Sequence, residues 1–277
     1  MTRVWPLQAL YLAVSLPGLG LLVWLGTSIA LLQGGLPEME ALRAMQARSV
    51  MLAMVLSLPA ALVIRSLPGS PWRRASVAAL LLALAAAGFI LAGLRGQLAD
   101  PGWVAIGAAL MCIGAIATTL AIGMGVTTRS AGPWRSQLVA PGLLAHALLA
   151  GSAVLFALIA MGWPERGLLA SPAASMALLV VVAGAIKQLY WHENGGLRAA
   201  GGQLGPSSAL QMRLAVILAL VVLPLLLAGV VAAWPGAAAR WCWWLIAASV
   251  VAGVYLDQRL LQFEADAAAA PSARRTP

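Results

Sequence analysis

Eight apolar runs, separated by short polar or Gly/Pro-rich segments, restrict the folds that are open to this sequence. A helix needs about 20 predominantly apolar residues to cross a hydrocarbon core about 30 Å thick. Each run has about that length, and the runs are Leu7–Leu32, Ser49–Ile64, Ala75–Leu94, Trp103–Thr127, Leu138–Gly162, Ser175–Trp191, Leu214–Trp234 and Trp241–Leu256. We therefore predict an all-α polytopic membrane protein, a bundle of about eight transmembrane helices over residues 1–266, with a disordered tail at 267–277.

Composition excludes a soluble domain. Only 9% of the residues are charged and 62% are hydrophobic, whereas soluble domains carry about 25% charged residues. The first run follows a basic N-terminus, as in a secretory signal, but Leu7–Leu32 is too long for the apolar region of such a signal. We expect this run to stay as the first helix.

The basic residues predict an orientation. With eight helices, both termini and the connections after the second, fourth and sixth helices share one side, which we call the basic face. This face holds twelve of the seventeen Lys and Arg residues, namely Arg3, Arg65, Arg73, Arg74, Arg129, Arg135, Lys187, Arg198, Arg213, Arg259, Arg274 and Arg275. Because Lys and Arg accumulate in cytoplasmic loops, the basic face is predicted to be cytoplasmic. Ten of the eleven Trp residues also fall at predicted membrane interfaces, as indole rings prefer.

Two ionisable residues stand out near the basic face. Lys187, the only lysine, ends the sixth run together with His192, where a helix should meet water. His146 lies about two turns into the fifth helix, and an ionisable residue at that depth is a candidate for proton or quinone chemistry. It is equally consistent with a structural hydrogen bond between helices. All eight acidic residues fall in connections, helix ends or the tail, which argues against an ion-coupled transporter.

No cofactor site of the chain's own is predicted. Cys112 and Cys242 lie inside apolar runs and have no metal-ligand spacing. No nucleophile with a base and an orienting partner is recognisable either. We therefore expect no catalytic residue, no metal ligand and no covalently bound cofactor.

The densest basic segment joins the second and third helices. It begins at Arg65 and continues through Pro71-Trp72-Arg73-Arg74, and a second Pro-Trp-Arg sequence surrounds Trp134 in a later connection. Such loops commonly fix topology and contact lipid headgroups. The functional alternative is a docking surface for a partner subunit or a site for a polar headgroup.

Three short motifs resemble a known family. They are Pro133-Trp134 followed by Pro141 after the fourth helix, Lys187 with Tyr190 and Trp191 at the end of the sixth, and Arg259 with Phe263 and Glu264 at the end of the eighth. Together with the eight-helix topology, they are similar to the haem-free membrane-anchor subunit of the dimethyl sulfoxide reductase family. The family's His-Leu-Gly segment after the second helix is replaced here by Arg65-Ser66-Leu67-Pro68-Gly69.

The resemblance implies an anchor that oxidises menaquinol or ubiquinol and passes electrons to an iron–sulfur subunit and a molybdopterin catalytic subunit in anaerobic respiration. It implies a location in the bacterial inner membrane. The residues expected to bind quinol or dock the partner are Arg65, Trp72, Arg74, Trp134, His146, Arg259 and Glu264. The alternatives are an anchor or assembly protein without quinol chemistry, which the missing histidine favours, and a small-molecule permease.

Overall fold

The computed structural model describes residues 5–31, 39–67, 71–95, 101–129, 137–162, 171–193, 206–234 and 237–269, and these residues are helical throughout, apart from short turns at their ends and at 58–59. The elements are α1 (Trp5–Leu31), α2 (Met39–Ser57), α3 (Ala60–Ser66), α4 (Pro71–Leu94), α5 (Pro101–Arg129), α6 (Val139–Gly162), α7 (Ser171–Glu193), α8 (Pro206–Ile217), a π-helical segment (Leu218–Val222), α9 (Leu223–Ala233) and α10 (Ala237–Ala269).

Within the described ranges, eight helical spans are long and apolar enough to cross a membrane. Helices α2 and α3 together form the second span, and α8, the π-helical segment and α9 together form the seventh. The predicted all-α bundle of about eight transmembrane helices is therefore confirmed. Helix α10 continues to Ala269, so the predicted tail begins as helix, and residues 270–277 lie outside the described ranges.

Two prolines interrupt the spans. Pro59 separates α2 from α3, because a proline has no backbone N–H to continue the helix. Pro224 follows directly after the π-helical segment Leu218–Val222. The nitrogen of Pro224 has no hydrogen to donate to the carbonyl of Leu220, four residues earlier. The wider turn of the π-helical segment accommodates this missing hydrogen bond. The widened turn lies beside the candidate site described below.

Helix α1 lies at the centre of the bundle. It packs against α2, α5, α6 and α10, and it is the most deeply buried of the eight spans. The contact between α1 and α6 is closest at Gly20 and Gly151, where an added Cβ would overlap the backbone of the opposite helix. Small residues at such crossings allow membrane helices to approach closely. This contact holds α6, and with it His146, in the interior.

We expect Gly151→Ala to destabilise the bundle by about 1–3 kcal/mol, because the new methyl group must push α1 away from α6. The matched control is Gly229→Ala, since a Cβ at Gly229 would meet open space. Thermal unfolding in detergent, followed by helical circular dichroism, compares the two. Equal melting temperatures for both variants would contradict the close packing.

The tryptophans near the helix ends differ in their surroundings. Trp103, Trp234 and Trp241 are well exposed, as interfacial side chains should be. Trp191 and Trp243, in contrast, are buried in the bundle, and the ring centroid of Trp243 lies 5.0 Å from that of Phe156. A position near a helix end fixes the depth of a side chain and leaves open whether it faces lipid or protein.

Candidate functional site

Four helices carry ionisable side chains into the bundle near the basic face. They are His146 on α6, Lys187 on α7, Arg213 on α8, and Asp257 and Glu264 on α10, and each is at most 9% exposed. A buried charge is costly unless an opposite charge or a hydrogen bond compensates it. We call these five residues the polar cluster, and their pairing decides what the site can do.

Asp257 lies at the inner end of the polar cluster. Its Oδ1 atom is 2.5 Å from Nζ of Lys187, and its Oδ2 atom is 3.8 Å from Nδ1 of His146. Oδ1 accepts no hydrogen bond from the described residues. Its contact with Lys187 is therefore an ion pair in which the two groups are not aligned as a hydrogen bond requires. Asp257 is therefore a carboxylate held between a cation and an imidazole in apolar surroundings.

Glu264 forms the outer pair of the polar cluster. Its Oε1 atom accepts a hydrogen bond of 2.8 Å from Nη2 of Arg213. Tyr190 is hydrogen-bonded to the same carboxylate. Both cations also lie near the ring of Trp191, with Lys187 Nζ 5.4 Å and Arg213 Cζ 5.2 Å from its centroid. Cation–π attraction therefore adds to the ion pairs in holding both cations in place.

A small cavity adjoins Asp257. Its volume is about 20 Å³, and its polar lining comes from His146, Lys187, Tyr190, Asp257 and Gln258. Gln258 is 1% exposed, and neither its amide oxygen nor its amide nitrogen has a hydrogen-bond partner among the described residues. Nδ1 of His146 also lacks such a partner. A cavity of this size with several polar groups is suited to about one water molecule.

An apolar cleft also adjoins Lys187. It has a volume of about 320 Å³ and runs between α7 and the seventh span. Its lining includes Val180, Gly184, Ile217 and Val221, and its polar end is formed by Lys187, Gln188 and Trp191. The π-helical segment contributes to one wall, and the absent side chain of Gly184 opens the other. The cleft shares Ala183 and Lys187 with the small cavity.

The seven residues predicted from the sequence divide into four groups. His146 and Glu264 both belong to the polar cluster, whereas Arg259 is half-buried and stacks on Phe263, with 5.2 Å between Cζ and the ring centroid.

Arg65, Trp72 and Arg74 lie on α3 and α4, which pack mainly against α1, α2 and α5. Arg65 and Arg74 are exposed there, and Trp72 is half-buried. Trp134 lies outside the described residues.

Sequence reasoning missed the centre of the site. Lys187 was expected to meet water, but it is buried against Asp257. The prediction that every acidic residue lies in a connection, a helix end or the tail is wrong for Asp257, which is 1% exposed and lies well inside α10. The available signal was the sequence Asp257-Gln258 followed by Gln262 and Glu264, a polar pattern that continues at helical spacing.

These features define a class of protein: a multi-pass α-helical membrane protein with a buried acid–base cluster at one end of its bundle. Among the residues that the structure describes, no three His, Cys, Asp or Glu side chains are grouped to hold a metal ion. No family model, curated protein or solved structure matches the chain.

Proposed function

We propose that this chain is the membrane-anchor subunit of a dimethyl sulfoxide reductase-like complex and that it oxidises quinol at the polar cluster. The observation that carries the proposal is the group formed by His146, Lys187 and Asp257 inside an apolar bundle. Oxidation of a quinol to a quinone releases two electrons and two protons, so the site needs proton acceptors within the membrane. Asp257 and a neutral His146 are suited to that role, because a carboxylate and an imidazole nitrogen accept protons.

The apolar cleft supports this choice of substrate. A quinol has a polar ring and a long apolar tail, and the cleft offers apolar walls that end at Lys187 and Trp191. Its volume of about 320 Å³ lies within the range of about 300–1,000 Å³ common for small-molecule sites. The chain would position the quinol and accept its protons, while the electrons pass to the iron–sulfur clusters of a partner subunit.

The sequence motifs give further support. Two of the three motifs behind the family resemblance, Lys187-x-x-Tyr190-Trp191 and the segment from Arg259 to Glu264, contribute residues to the polar cluster or border it. The exposed Arg65 and Arg74 are suited to dock an acidic surface of the iron–sulfur subunit. The excess of basic residues on that face supports a bacterial inner-membrane protein with both termini in the cytoplasm.

Gentle purification from the native membrane tests the proposal. We expect an iron–sulfur subunit and a molybdopterin subunit to copurify, with molybdenum and iron in the sample, and the complex to oxidise menaquinol or ubiquinol. A chain that purifies alone and free of metal would overturn the anchor function. A complete complex that transfers electrons without quinol would support the alternative, an anchor that has no quinol chemistry.

We expect His146→Ala to lower quinol oxidation by up to about 100-fold without loss of assembly, because the imidazole beside Asp257 is removed while Lys187 still pairs with the carboxylate. The matched control is His192→Ala, which changes an exposed histidine at the end of α7. Turnover per copurified molybdenum is the measurement. Unchanged turnover in His146→Ala would remove His146 from the quinol site.

One observation favours a second candidate, a proton-coupled transporter of small molecules. Asp257 is a buried carboxylate within a membrane span, which is the kind of group that such transporters use to bind protons. Purified chain in proteoliposomes would then drive solute movement in response to a pH gradient without partner subunits.

A further inference from the structure

A second buried acid lies on the same helix as Asp257. Asp257 and Glu264 are seven residues apart on α10, which places them on one face, separated by about 10.5 Å along the axis. Both are 1% exposed. The proposed quinol chemistry uses Asp257 as a proton acceptor but assigns no step to Glu264, although burying a second charge there has a cost that its pair with Arg213 must offset.

Tyr190 connects the two acids. Its side chain lines the small cavity together with Asp257 and Gln258, and it is also hydrogen-bonded to Glu264. Lys187 Nζ lies 4.5 Å from the centroid of its ring, so the tyrosine is held beside the inner ion pair. One water molecule in the cavity would contact Asp257 on one side and Tyr190 on the other. The unpartnered amide of Gln258 supplies the additional hydrogen bonds that such a water needs.

We infer that Glu264 is the outer acid of a proton path that leads from Asp257, through a cavity water and the Tyr190 hydroxyl, to the basic face. Each transfer balances. The O–H bond of the Asp257 carboxylic acid breaks as an O–H bond forms on the water, and the water gives a proton to the Tyr190 oxygen. The Tyr190 O–H bond breaks as one forms on Glu264, which then releases its proton toward the basic end of α10. Nothing is oxidised or reduced in these steps.

The charges around the path are paired at both of its ends. Helix α6 contributes His146, α7 contributes Lys187 and Tyr190, and α8 contributes Arg213. Helix α1, which also packs against α10, carries Tyr11 but no charged side chain within Trp5–Leu31, and the π-helical segment and α9 carry no titratable side chain. Each carboxylate therefore has a basic side chain beside it, and once a proton that entered at Asp257 has left at Glu264, both ion pairs are restored.

A proton path works in both directions, so the experiment runs it inward. Time-resolved infrared spectroscopy follows protonation of Asp257 in the purified full chain after a light-triggered drop in pH. The carboxylic acid band of Asp257 is assigned by its loss in Asp257→Asn. We expect Glu264→Gln and Tyr190→Phe each to slow the appearance of this band by about 100-fold or more, with the final amplitude preserved. Glu264→Asp keeps a carboxylate and is expected to restore most of the rate.

A wild-type rate in a folded Glu264→Gln or Tyr190→Phe protein would overturn the path, and so would the absence of an Asp257 band across the pH range in which the chain stays folded. Tyr190→Phe retains the buried ring and the Arg213–Glu264 pair, so it tests the path even if Glu264→Gln fails to fold. The proposal rests on the same site as quinol oxidation, but this measurement needs neither quinol nor a partner subunit. Failure of the proton path can therefore be distinguished from failure of the proposed anchor function.

Discussion

Lys187→Met is expected to destabilise the bundle by about 3–5 kcal/mol, because it leaves Asp257 as a buried charge without its cation. Nζ of Lys187 lies 2.5 Å from the carboxylate, whereas the imidazole of His146 is 3.8 Å away and is charged only when protonated. Met fills most of the space of the lysine stem, so the change removes charge more than volume. Thermal unfolding in detergent at constant pH and salt measures the loss.

The double variant Lys187→Met/Asp257→Leu provides the decisive comparison. Replacing both members of a buried ion pair with apolar side chains is often neutral or stabilising, so the double variant is expected to melt near the wild-type temperature. Gln188→Met is the matched control, since it introduces the same side chain at the exposed neighbouring position. A Lys187→Met protein that melts with the wild type would show that Asp257 is not held as a carboxylate by this lysine.

The number and type of the spans could be predicted because they depend on the length of each apolar run. The predicted run Leu138–Gly162 became α6, Val139–Gly162, and the predicted run Ala75–Leu94 became α4, Pro71–Leu94. A chain in lipid must form helices of a fixed minimum length, so the count follows from hydropathy alone. The breaks at Pro59 and Pro224 change the local geometry and leave that count intact.

The pairing of the spans could not be predicted in the same way. Hydropathy fixes how deep a residue lies, but helices that are apolar on every side give no signal for which side faces the protein. Lys187 and Asp257 are 70 residues apart in the sequence, and they meet because both side chains face the same interior of the bundle. The sequence prediction places Asp257 at a helix end because it directly follows the apolar run Trp241–Leu256, although α10 continues well past it.

The candidate site could be predicted only in part, because hydropathy reports the depth of a residue but not which side of a helix faces the protein. His146 was identified by its depth, which the sequence does report, and the structure places it beside Asp257. The basic segment from Arg65 to Arg74 was grouped with His146 through the family resemblance and because both lie near the basic face. Sharing a face of the membrane does not bring side chains together, and α4 packs mainly on α5, whereas α10 packs on α6.

Asp257→Asn is expected to lower quinol oxidation by about 100-fold to 10,000-fold, the range typical for loss of a general base. The amide has nearly the shape of the carboxylate but cannot accept the quinol proton at physiological pH. It also leaves Lys187, which is 9% exposed, as a cation without its counter-charge. Turnover must therefore be expressed per assembled complex, with copurified molybdenum as the measure of assembly.

Glu193→Gln is the matched control for this variant, because it neutralises an exposed acid at the basic end of α7. It is expected to oxidise quinol at the wild-type rate. If Asp257→Asn and Glu193→Gln turn over equally in complexes that assemble normally, Asp257 is not a proton acceptor for quinol, and the buried pair with Lys187 serves only to hold α7 against α10. If Asp257→Asn loses activity in complexes that assemble normally while Glu193→Gln does not, the carboxylate itself, and not the pairing of the helices, is what the reaction needs.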